Sequence, residues 1–105
     1  MAESKIIRHI SEYIKYLNLH GISVSGVYLY GSYSVDKYSP ESDIDVLIVT
    51  EELDHFNDIL VGKIWKITKQ FDEKIEPVIV GKKKFHDDEV SPLLIQIKRE
   101  GIQVI

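Results

Sequence analysis

Cysteine is absent from the 105 residues, which excludes disulfides and thiolate chemistry and gives no sign of a small secreted scaffold. No apolar run approaches the length needed to span a bilayer. The opening segment MAESKIIRHISEY carries charges throughout and lacks an apolar signal core, so a cytoplasmic protein is expected. A basic excess is missing too. The net charge is −4, and binding to a bare nucleic-acid backbone needs a concentrated basic face, so no direct nucleic-acid binding is expected. The four histidines, His9, His20, His55 and His86, lack metal-ligand spacing, which leaves them surface roles and makes zinc a poor candidate. No repeat, linker or low-complexity tract interrupts the chain.

What remains is an ordinary balance of 44% hydrophobic and 29% charged residues, and a length suited to one domain over residues 1–105. Ile6, Ile7, Ile10, Ile14 and Leu17 recur at helical spacing from about Ser4 to Leu19, and Gly21 is placed to end that helix in a left-handed turn. ISVSGVYLY mixes β-branched and aromatic residues and reads as a strand that stops at Gly31. From Asp43 to Val49 the run DIDVLIV is apolar on both faces after its first residues, as in an interior strand covered on each side. Phe56, Leu60, Ile64, Ile67 and Phe71 trace a second helical stripe, with Asp54 as its expected N-cap. KIEPVIVG reads as a third strand, where Pro77 removes a ladder donor and points to an edge, a strand start or a bulge. A charged turn, a last helix with Pro92 in its first turn, and a short terminal strand IQVI complete the pattern. The expected class is α/β (α+β), a mixed β-sheet with helices packed on it.

Asp43 and Asp45 stand at the mouth of the most hydrophobic segment. On a strand both point to one face, with Cα atoms ~6.5–7 Å apart, within reach of a shared cation. Hard oxygen donors of this kind suit Mg²⁺ or Mn²⁺. Upstream, Gly31 lets the backbone approach a ligand, and Ser32 adds donors for phosphate oxygens. If the third strand lies beside the second, Glu76 completes a three-carboxylate site able to hold two divalent cations.

The stretch YGSYSVDKYSPESDIDVLIV resembles the signature of the DNA polymerase beta-like nucleotidyltransferase superfamily in its minimal stand-alone form: Gly-Ser, ten residues, then Asp-x-Asp in a hydrophobic strand. KIEP and the closing REGIQVI resemble the same minimal group, so the likeness covers nearly the whole chain. It implies a polymerase beta palm-like fold. It further implies that Gly31 and Ser32 hold a triphosphate, that Asp43, Asp45 and Glu76 ligate the metals, and that a nucleoside monophosphate passes from NTP, in this group ATP, to an acceptor hydroxyl. A chain this short has little surface for an acceptor, and minimal members are paired with a helical HEPN-type toxin whose tyrosine they modify. Two departures stand out: Asp36 takes the place of a glycine found in many relatives, and Glu76 stands where Asp is commoner.

Other readings stay open. One is a non-catalytic antitoxin or nucleotide-binding module that masks its partner. Another is a transferase for a small aminoglycoside-like acceptor, with a cleft made in a homo-oligomer. Tyr33 and Tyr38 could stack on a nucleobase, although covering the loop is the favoured role. Lys82, Lys83 and Lys84 read as a solvated turn before they read as an anion patch.

Overall fold

The computed structural model describes residues 2–31, 41–53, 55 and 57–105, with side chains from Lys5 onward. Ser32, Tyr33, Asp36, Tyr38, Asp54 and Phe56 lie outside the described residues.

Helix α1 (Ala2–Leu19) buries Ile6, Ile10, Tyr13, Ile14 and Leu17 on one face. Its end follows the predicted chemistry. Gly21 has φ +82°, its N–H donates to the Asn18 carbonyl, and the Ile22 N–H donates to the Leu17 carbonyl at 3.0 Å. That is a Schellman motif, and its apolar clasp is Leu17 with Ile22, both buried. Strand β1 (Gly26–Tyr30) pairs antiparallel with β2 (Ile44–Thr50), and a 3₁₀ turn (Glu51–Leu53) follows β2. Helix α2 (Asp58–Phe71) crosses over to β3 (Ile75–Gly81), which pairs parallel with β2. Helices α3 (Lys82–Asp87) and α4 (Pro92–Glu100) lead to β4 (Ile102–Gln103), antiparallel to β1. The strand order is β3-β2-β1-β4.

The mixed sheet and the central place of the DIDVLIV segment match expectation, and Pro77 lies on an edge strand. Two local expectations are corrected. The N-cap of α2 is Asn57, whose side chain accepts from the Leu60 N–H at 3.1 Å, and not Asp54. The lysine run is the first half of α3 and not a turn. There Phe85 reaches back to the sheet and stacks on Tyr28 at 5.1 Å between ring centroids, which anchors six residues that have no buried side chain of their own.

Alternation along β2 divides the interior. Ile44, Val46 and Ile48 join Val27, Leu29 and Ile75 against α1 and α2. Leu47 and Val49 pack with Val80 against Leu94 and Ile97 of α4. Between α1 and α2 the buried Tyr13 hydroxyl donates to Thr68 Oγ1 at 2.5 Å, and Thr68 donates to the Ile64 carbonyl at 2.6 Å. Burial pushes the Tyr13 phenol up to about 12. Among the described residues no helix is long and apolar enough to cross a membrane.

Candidate functional site

The strand register decides which chemistry-bearing residues meet. Tyr30 is opposite Asp45 across the β1–β2 pair, and Asp45 is opposite Glu76 across the β2–β3 pair. Directly paired residues share a sheet face, so Tyr30, Asp45 and Glu76 form one row across three strands. That face is the one turned away from α1 and α2. Asp43 lies one residue ahead of β2 and is exposed, while a hydrogen bond from the Ile44 N–H to the Lys74 carbonyl at 2.8 Å fixes the strand start beside it.

The electrostatics of the row follow from this geometry. Partial burial raises the Asp45 carboxyl above the usual carboxylate range, and the charges of Asp43 and then Glu76 push it further the same way. Burial and the Asp45 charge likewise raise the Tyr30 phenol. Asp43 and Glu76 therefore both bear on Asp45.

Gly31 closes the row from above. Its φ is +75°, and a Cβ placed there would collide with the Asp45 carboxylate, with Cγ at only 3.2 Å. Both its conformation and its surroundings require glycine. The close contact that the structure shows at Gly31 is to the neighbouring aspartate. Ser32, the other predicted phosphate-binding residue, lies outside the described residues.

Two members of this neighbourhood were not anticipated. Tyr30 is the last residue of β1, and only the register reveals that it borders Asp45. Lys69, in the last turn of α2, donates to Glu76 Oε1 at 2.9 Å. The apolar stripe of that helix says nothing of its polar face, although a cation seven residues ahead of Glu76 was the available signal. Three surface clefts among the described residues lie away from the row. One, lined by Ser25, Tyr28, Val49, Lys82 and Phe85, is on the same sheet face but at the opposite end of the strands.

The donor set fits a divalent cation in its chemistry. Asp43, Asp45 and Glu76 offer only hard oxygens, and a divalent cation would offset both the burial and the neighbouring charges that raise the Asp45 carboxyl. As the side chains stand, no three His, Cys, Asp or Glu residues among those described are drawn together closely enough to hold a metal ion. Glu76 is turned to Lys69 instead.

A family model described as a nucleotidyltransferase domain matches residues 7–104. Four solved chains match as well. One is a candidate nucleotidyltransferase from Sulfolobus solfataricus, with a TM-score of 0.64 and 14% identity over 97% of this chain and 81% of that one. Another is a toxin–antitoxin solved with AMP-PNP, with a TM-score of 0.61 and 24% identity over 90% of this chain and 71% of that one. At these identities the likeness establishes the fold. No curated protein matches the sequence.

Proposed function

We propose that this chain, which belongs to the nucleotidyltransferase domain family, moves AMP from ATP to the hydroxyl of a tyrosine on a helical HEPN-type partner. Residues 1–105 act in this reading as one domain in the cytoplasm. The observation that carries it is the Tyr30–Asp45–Glu76 row, with Asp43 beside it and Gly31 pressed against its centre. The toxin–antitoxin neighbour with AMP-PNP supports a nucleotide and a protein partner.

Asp43, Asp45 and Glu76 would hold Mg²⁺ or Mn²⁺, and Gly31 with Ser32 would cradle the triphosphate. When bound, the cations neutralise the phosphate charge and lower the pKa of the attacking hydroxyl. The acceptor oxygen forms a bond to the α-phosphorus, the bond from that phosphorus to the bridging oxygen breaks, pyrophosphate leaves, and the hydroxyl proton passes to solvent. The chain's own residues do the positioning. Asp45 stands on the inner strand β2 between β1 and β3, so the main chain that carries its carboxylate is held in place.

The test incubates the chain with ATP, Mg²⁺ and a helical HEPN-type protein encoded beside it, and reads nucleotidyl mass on that protein. Asp45→Asn is expected to lower the rate about a thousandfold, or ~4 kcal/mol of transition-state stabilisation. No added mass in an authentic complex rejects the transfer. The ion pair of Glu76 with Lys69 favours a second reading, a non-catalytic antitoxin that masks its partner. In that case Asp43→Asn and Asp45→Asn leave both complex and toxin control intact.

A further inference from the structure

The lysine beside Glu76 has more structure around it than a surface ion pair needs. The Lys69 ammonium donates to the Glu73 carbonyl at 2.9 Å, the Ile75 carbonyl at 2.8 Å and Glu76 Oε1 at 2.9 Å. An ammonium has three protons, so every donor is used. Two of them go to main-chain oxygens, one in the turn ahead of β3 and one on its first residue, which fix where the charge sits. The indole of Trp65, one helical turn back, has its centroid 5.1 Å from the same nitrogen and favours a cation there. The acid row therefore carries a tethered positive charge at its outer end, while Asp43 and Glu76 both press on Asp45.

Resting on the transferase reading above, we infer that Lys69 is a positioning residue that neutralises Glu76 in the empty site and competes with the divalent cation for that carboxylate. Lys69 thus sets the cation concentration at which the row fills. A pair about one-third exposed on each side is partly screened, so the competition is worth about a three- to fivefold change in cation affinity.

The experiment measures Mn²⁺ binding to the whole chain without nucleotide, by the electron paramagnetic resonance signal of free Mn²⁺. Lys69→Gln keeps an amide donor for the turn but removes the charge, and should bind Mn²⁺ about three- to fivefold more tightly. Lys69→Arg should stay close to the parent. In a Glu76→Gln background Lys69→Gln should change nothing. A second readout needs no Lys69 variant: Trp65 is the sole tryptophan, so Mg²⁺ should shift its emission in the parent chain, as the ammonium gives up Glu76, and not in Glu76→Gln. Unchanged or weaker binding in a folded Lys69→Gln, or flat emission in the parent, overturns the inference. If Mn²⁺ binding is absent or indifferent to Asp45→Asn, the transferase reading falls and takes this inference with it. Binding that depends on Asp45 but ignores Lys69 sinks the inference alone.

Discussion

The two faces of the sheet are unequal. Among the described residues, fifteen buried hydrophobic side chains lie in the layer that α1 and α2 form with one face, and five in the layer that α4 forms with the other. The acid row is on the thin side. A carboxylate in the thick layer would be sealed from water without a partner at a cost of several kcal/mol. On the thin side Asp45 keeps partial contact with solvent, yet is buried enough for its neighbours' charges to matter. One face holds most of the buried side chains, and the other leaves the acid row in partial contact with solvent.

Two adjacent residues of β2 test this most strongly. Ile48 and Leu47 are both fully buried but point to opposite layers. Ile48→Ala is expected to cost ~4 kcal/mol, because two long helices and a sheet cannot close the cavity. Leu47→Ala should cost ~2 kcal/mol, because the nine-residue α4 can settle inward. Chemical denaturation measures both, and equal losses would show the layers to be equally rigid.

A pair of glycines sharpens the contrast at a smaller scale. Gly21 and Gly31 both have positive φ, but a Cβ at Gly21 meets nothing within 4 Å whereas one at Gly31 meets Asp45. Gly21→Ala should lose only the ~1 kcal/mol of backbone strain and leave transfer unaffected. Gly31→Ala should lose ~2 kcal/mol. It should also displace the Asp45 carboxylate and slow transfer at least ~10-fold. Similar rates for the two variants would remove Gly31 from the site.

The smallest effect concerns Asp45 in the metal-free protein. Its folded pKa is raised, so the stability it contributes is present at pH below the unfolded carboxylate value and is lost as pH rises through the folded one. At neutral pH the ionised group therefore weighs against folding. Asp45→Asn should raise the melting temperature by ~1–3 °C at pH 7, an effect kept small by solvent screening and vanishing in acid. Scanning calorimetry across that range checks it. A lower melting temperature at pH 7 would mean that the carboxylate is held by favourable contacts.

Much of the architecture was legible because it depends on local periodicity. The stripe of Ile6, Ile10, Ile14 and Leu17 and the aliphatic run after Asp45 each have one way to hide from water. The left-handed turn at Gly21 and Pro92 in the first turn of α4 were legible for the same reason. The cap of α2 was misread because Asp54 and Asn57 carry equivalent side-chain acceptors, and only the backbone path selects between them. Helix α3 escaped notice because three lysines carry no apolar period, and Phe85 holds it through a partner 57 positions earlier in the chain, Tyr28.

The residue types able to meet phosphate and metal, Gly31, Asp43, Asp45 and Glu76, were determined by the sequence itself, since chemistry belongs to side chains. Whether they would meet was decided by register. A shift of one residue between β2 and β3 would turn Glu76 to the opposite face from Asp45. Burial of Ile75 in one layer and Val80 in the other opposes that shift, and the tertiary packing also brings Lys69 to Glu76 and Tyr30 to Asp45. No short-range pattern encodes these distances, because they arise only when the layers close around the sheet.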